Sequence, residues 1–141
     1  MRLLLFVFLC LSLSGCGVIF GGSMYNASII VRNNPDAQIY VNGNKIGKGA
    51  AIRSYHRNRP LTVELRDQNC EPQFKTFDNR FRAGNFVLSF FTFGLIGAAV
   101  DFASGACYQP DFIHDPSIVK ESFKTYSFSI DYEGCPRKNY Y

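Results

Sequence analysis

Tryptophan is absent from this 141-residue chain, and histidine occurs only at His56 and His114. Neither histidine sits in a recognisable nucleophile–base motif with a serine or cysteine. No Cys-x-x-Cys or Cys/His spacing occurs, which argues against a zinc site. The glycines at 43, 47 and 49 follow a strand-like segment but lack the Lys-Ser/Thr ending of a phosphate-binding loop. Charge is sparse as well: the formal net charge is +4, from 15 basic and 11 acidic side chains. That is far from a nucleic-acid signature, which would also need aromatics stacked along a shaped basic groove. These absences set the expectation of a non-enzymatic protein with no cofactor, no metal and no nucleic-acid partner. His114 lies in Asp111-Phe112-Ile113-His114-Asp115-Pro116, whose carboxylates could serve acid–base work or a weak metal site. A turn before the last strand accounts for the same residues more simply, because Asp-Pro and Pro-Ser favour turns.

What is present is concentrated first at the amino terminus. Arg2 precedes an apolar run from Leu3 to Leu11, and Leu13-Ser14-Gly15-Cys16 follows. A short basic start, about nine apolar residues and a small-residue cleavage site make a secretory signal. The run is too short to span a bilayer, which takes about 20 apolar residues. Leu-Ser-Gly-Cys resembles the lipobox of bacterial lipoproteins. The resemblance implies that residues 1–15 are a signal peptide, that the Cys16 thiol receives a diacylglycerol, and that the new amine is usually acylated. Two or more acyl chains hold a protein firmly where one anchors only marginally. An ordinary signal peptide followed by a chance cysteine is the plain alternative. Gly17 stands where the inner-membrane retention signal resembles an aspartate, so the implied address is the outer membrane, facing the periplasm.

Residues 16–141 make one domain, two at most, with a modest core. Residues 16–26 read as a lipidated N-terminus and tether, Gly21-Gly22-Ser23 lending flexibility. Cys70, Cys107 and Cys135 remain for an oxidising compartment. They allow one disulfide and one leftover, and spacing does not say which two of the three pair. The leftover either joins two subunits or stays a buried, inert thiol.

Residues 27–83 alternate in the manner of strands. Ser28 to Arg32 is β-rich, and Asn33-Asn34-Pro35-Asp36 is a turn. Ile39 and Val41 share one face with Tyr40 opposite. Asn42-Gly43 is the strongest hairpin dipeptide, because it tolerates φ > 0 at both turn positions. Leu61, Val63 and Leu65 face one way; Thr62, Glu64 and Arg66 face the other. Pro72 to Phe77 returns as a strand anchored by Phe74, with Phe77 a second candidate. Tyr126, Phe128 and Ile130 alternate near the end. The expected fold is mainly β: a small antiparallel β-sandwich or sheet. A short apolar helix or helical hairpin over residues 86–106 is inserted before the final strand, within 84–134. Residues 135–141 are a frayed tail.

Asn34-Pro35-Asp36-Ala37-Gln38-Ile39-Tyr40-Val41-Asn42-Gly43-Asn44-Lys45-Ile46-Gly47 resembles the PEGA module, a small β-domain of bacterial envelope proteins. Pro35, Ala37, Ile39, Tyr40, Val41, Asn42, Gly43 and Gly47 match its pattern. Asp36 replaces the name-giving glycine, and Lys48-Gly49 replaces the usual Thr-Pro. The segment from Gly84-Asn85 through Phe93-Gly94-Leu95-Ile96-Gly97 to Tyr108 is similar to one in small Gram-negative lipoproteins. The resemblance implies a fold and an address but no defined activity.

Phe86 to Val100 carries no charge. As one helix it would be roughly 22 Å long, short of the roughly 30 Å hydrocarbon core. Extension to Ala106 brings in Asp101, whose carboxylate would cost roughly 3 kcal/mol or more in lipid. Three arrangements remain open. The segment packs on the sheet; or it packs between subunits of a homo-oligomer through Gly94, Gly97 and Ala98; or it inserts shallowly in the membrane. In each, Asp101 needs a cap or partner, for which the Phe102-Ala103-Ser104 turn is a candidate.

Between Asp36 and Glu64 there is no acid, while Lys45, Lys48, Arg53, Arg57 and Arg59 are present. They form either a binding face for anionic lipid headgroups or glycan, or a solvated loop. The leading expectation is a structural or interaction lipoprotein, membrane-bound through Cys16, whose β-module contacts peptidoglycan or another envelope protein. The alternative is a binding module for anionic lipid or glycan through Lys45 to Arg59.

Overall fold

A computed structural model of the chain describes residues 22–134. The expected signal peptide (1–15), Cys16, Cys135 and the expected tail (135–141) lie outside the described residues. In chain order the elements are β1 (Met24–Val31), β2 (Gln38–Val41), β3 (Asn44–Lys48), β4 (Ala50–His56), β5 (Leu61–Asp67) and β6 (Cys70–Phe77). Then come β7 (Asn79–Phe81), α1 (Ala83–Ser104), β8 (Tyr108–Pro110), β9 (Ile118–Lys120) and β10 (Thr125–Ile130). The protein is mainly β. One sheet runs β6-β5-β2-β3-β4-β1-β10-β9, and β7 pairs with β8 in a small second one.

Period-two alternation places the core. Tyr25, Ala27, Ile29 and Val31 of β1 point inward, as do Ile39 and Val41 of β2, Leu61, Val63 and Leu65 of β5, and Tyr126, Phe128 and Ile130 of β10. Each large apolar side chain buried this way contributes about 1.5–3 kcal/mol. The sheet curls until its two ends meet. The Phe77 and Phe128 rings lie 4.9 Å apart. The Lys75 ammonium donates to Ser117 Oγ at 2.8 Å, and the Gln73 amide donates to the Asp131 carbonyl at 3.1 Å.

The turns obey local chemistry. Asn42 and Gly43 both take positive φ, at 52° and 78°. The Asn34 side-chain carbonyl accepts from the Asp36 N–H at 3.1 Å, closing an Asx turn, while its amide donates to Asp67 at 2.8 Å. Gly49 (φ +68°) is the tightest joint: its N–H donates to the Ala37 carbonyl and its own carbonyl accepts from Val31, both at 2.8 Å.

α1 is a hairpin. Gly94 (φ 65°, ψ −157°) breaks the helix, in a backbone region open essentially to glycine alone. Ser89 and Asp101 would stand about 18 Å apart along a straight helix, yet the Ser89 hydroxyl donates to the Asp101 carboxylate. The two arms therefore fold back on each other, and Gly97 and Ala98 lie on the buried side.

The expected fold class, a mainly β protein with a short apolar helix or hairpin before the final strand, is what the structure shows, with differences in detail. Among the described residues the hairpin contributes nothing to the main core cluster; it meets the β7–β8 pair instead, Phe86 against Phe81 at 5.4 Å and Phe102 against Tyr108 at 6.1 Å. It spans Ala83–Ser104, close to the expected 86–106. The sheet is not purely antiparallel, because β1 and β10 pair in parallel, Asn26 opposite Thr125 and Val31 opposite Ile130. That pairing also joins residues 84–134 to the first module in one sheet. β1 starts at Met24, ahead of the expected first strand at Ser28. Phe74 is exposed and only Phe77 is anchored, because the register sets Phe74 beside Glu64 on the outer face.

A methyl group at Gly49 would sit 2.3 Å from the Pro35 carbonyl oxygen. Gly49→Ala is expected to lower unfolding free energy by ~2–4 kcal/mol, seen as a lower denaturant midpoint with an unchanged slope.

Candidate functional site

The polar groups that the fold gathers lie at the base of the hairpin. Five segments converge there: the start of β1, the residues after β4, the two ends of α1 and the turn before β10. Arg57 binds them together. Its N–H donates to the Ser23 carbonyl at 2.9 Å, its guanidinium donates to the Phe123 carbonyl at 3.1 Å, and its carbonyl accepts from the Asn79 amide at 2.9 Å. It is 0% exposed, and its Nε and Nη1 find no hydrogen-bond partner among the described residues.

Arg82 enters the hairpin, its N–H donating to the Cys107 carbonyl at 2.6 Å. Its guanidinium lies 4.7 Å from the centre of the Phe123 ring. Burial, and then the neighbouring Arg57 charge, lower its pKa. Gly105 closes the hairpin with φ +78°, and a Cβ there would meet Asn58 Cβ at 2.8 Å. Only glycine allows so close an approach.

An open cleft of about 270 Å³ lies beside this joint, lined by Ser23, His56, Asn58, Arg59, Ala103 and Ser104. A smaller one of about 110 Å³ shares His56 and Arg59 and continues past Tyr55.

The five candidate cations do not form one cluster. Lys48 pairs with Asp36 at 2.7 Å. Arg57 is buried, a correction to its expected place on a binding face. Lys45 and Arg53 are exposed on β3 and β4, and Arg59 is exposed at the clefts. The stretch is two strands rather than a loop. β4 is a largely exposed strand: Ala51 and Tyr55, paired with Ile29 and Tyr25, are half-buried, Arg53 opposite Ala27 stays exposed, and Ile52 faces solvent. Arg57 continues the inward row beyond the strand, which is why a cation ends up inside.

Within the hairpin, Asp101 is 1% exposed. Its partner is Ser89 across the hairpin rather than the following turn; Ser104 Oγ donates at 3.2 Å to the Asp101 main-chain carbonyl. Gly97 and Ala98 are buried, and Gly94 is the bend. Ser89 escaped the sequence reading. The available signal was symmetry, since Ser89 and Asp101 flank the glycine-broken apolar run at equal spacing from Leu95.

Cys107 is a free, buried thiol, its pKa raised by burial and by Asp101. Cys70 is disulfide-bonded. Gly134, the last described residue, has its Cβ position 3.8 Å from the carbonyl oxygen of Glu71, next to Cys70. The His114 ring lies 2.7 Å from Asp111, and Asp115 accepts from the Ser117 N–H at 2.9 Å. These are turn contacts. No group of three His, Cys, Asp or Glu side chains among the described residues could hold a metal.

No protein-family model, curated protein or solved structure matches this chain. Its own residues therefore carry the functional argument.

Two measurements check this geometry. Cys107 is expected to resist a thiol reagent in the native protein and to react on unfolding. Asp111 has its carboxyl held below the usual range, chiefly by the His114 hydrogen bond. A depressed folded pKa contributes stability above the ordinary carboxylate value, lost as pH falls through the lowered one. His114→Ala is expected to move the Asp111 carboxyl NMR titration back up.

Proposed function

We propose that this protein is a non-enzymatic lipoprotein of the bacterial cell envelope, held at the outer membrane through a diacylated Cys16 and facing the periplasm. The observation that carries this reading is Leu13-Ser14-Gly15-Cys16 directly after a basic start and a short apolar run. Its position suits the fold. Cys16 lies six residues before Gly22, a reach of at most roughly 20 Å, so an anchor there keeps the sheet close to the bilayer surface. On this reading the β-domain, PEGA-like in its Pro35–Gly47 segment, works as an interaction module toward peptidoglycan or another envelope protein.

A second reading, binding of an anionic lipid headgroup or glycan, is favoured by the paired clefts at His56 and Arg59. It now rests on Arg59, with Arg53 and Lys45 as exposed neighbours in sequence. Arg57 and Lys48 leave the candidate set for the reasons given above.

Mass spectrometry of the mature N-terminal peptide tests the first reading. The expected peptide begins at Cys16 and carries a diacylglycerol with a further acyl group, and Cys16→Ser retains residues 1–15 without added lipid. An unmodified wild-type N-terminus still carrying residues 1–15 would overturn it.

A further inference from the structure

We infer that the α1 hairpin is a membrane wedge, its tip sunk into the acyl chains of one phospholipid leaflet while the β-domain stays in water. The inference rests on the anchoring reading for the choice of membrane. The insertion itself is argued from the hairpin.

The first observation is how the apolar surface is spread. Phe91 is 81% exposed, Leu95 77%, Ile96 65% and Leu88 62%. Every exposed described residue from Phe86 to Ala103 is apolar or glycine. Val87, Leu88, Phe90 and Phe91 cover a broad arc of one arm, and Leu95, Ile96, Val100 and Phe102 a broad arc of the other. Docking on a single protein partner calls for one apolar stripe with polar residues opposite. Among the described residues the hairpin shows no polar outer face, and a helix that is apolar all round belongs in a protein core or in lipid.

The second observation is length. Each arm has ten or eleven residues, about 15–16 Å of helix, which matches the hydrocarbon depth of one leaflet, about half of the roughly 30 Å core. No helix among the described residues is long and apolar enough to cross a membrane, and a wedge does not need one. The third is the treatment of charge. The hairpin's only charged side chain, Asp101, is folded inward, away from the exposed apolar surface; its Oδ2 receives the Ser89 hydroxyl, while its Oδ1 has no hydrogen-bond partner among the described residues.

The fourth is where the chain comes from. Ser23 lines the cleft at the hairpin base with Ala103 and Ser104, so the segment leading from Cys16 arrives at the same end of the molecule. Arg59 lies in that cleft, and Lys124 comes within 3.8 Å of the Cβ position of Gly22. Both cations sit where anionic headgroups would lie once the tip is inserted.

The chain has no tryptophan, so Leu95→Trp supplies a single reporter at the tip, and Gln68→Trp supplies one at the far β5–β6 turn. Each full-length protein is reconstituted in phosphatidylethanolamine–phosphatidylglycerol vesicles containing doxyl-labelled acyl chains. Leu95→Trp is expected to emit at short wavelength and to lose most of its emission to the doxyl groups, while Gln68→Trp is unaffected. A tip tryptophan with water-like, unquenched emission would overturn the wedge. So would blue-shifted emission that lipid doxyl does not quench in a protein sedimenting as a dimer, which would assign the hairpin to a second copy. The mass of the same sample separates the two readings. Quenching without an acyl group on Cys16 leaves the wedge standing and removes the anchor. An acyl group without quenching does the reverse.

Discussion

The parallel pairing of β1 with β10 is the constraint on which the arrangement depends. Parallel strands start at the same end, so Lys124 and Thr125 lie beside Asn26, with the Asn26 N–H on the Lys124 carbonyl at 2.7 Å. That places the start of the folded chain and the turn before β10 together. Arg57 then ties Ser23, Phe123 and Asn79 into one joint, and Asn58 packs under Gly105 at the hairpin's exit. Were β10 antiparallel to β1, its start would lie at the other end of the sheet, away from Ser23. The hairpin and the incoming amino-terminal segment share an end because of strand polarity.

The fold thereby separates two tasks. The sheet buries its own apolar face and needs nothing from the hairpin, whose residues are absent from the core. The hairpin is left with apolar side chains turned outward and one carboxylate turned in. In a water-soluble helix the opposite distribution would be stable, because exposed leucine and phenylalanine gain nothing in water and a buried carboxylate costs desolvation. An apolar surrounding favours the outward leucine and phenylalanine, and it makes the inward position, beside Ser89, the less costly one for the carboxylate. The proposed anchor and the proposed wedge are therefore two attachments at one end of a small domain, with the other end free for a partner.

The sequence reading succeeded where a local rule is strict. Asn42-Gly43 adopts positive φ at both positions because few dipeptides tolerate that turn. Leu61, Val63 and Leu65 face the core because a half-buried strand has period two. It failed where position in the sheet decides. Phe74 and Phe77 look equivalent in the chain, yet cross-strand register puts one beside Glu64 and the other against Phe128. β4 presents Ile52 to water and leads Arg57 inside, an arrangement that hydropathy cannot reveal. The cations from Lys45 to Arg59, near one another in sequence, are dispersed because they fall on two strands and the turn that follows, with Lys48 paired to Asp36 and Arg57 taken inside.

By itself the sequence determined the β class, the tight turns, the candidate lipidation site and the existence of an apolar segment too short to cross a bilayer. These depend on residues near one another in the chain, where backbone sterics and side-chain spacing suffice. Tertiary structure alone decided that β1 and β10 run parallel, that Ser89 meets Asp101 across the Gly94 bend, and that the hairpin stands outside the core. Each of those joins residues far apart along the chain or on opposite sides of a bend. Their contact is set by the curling of the whole sheet and the fold of the helix, which no local pattern encodes.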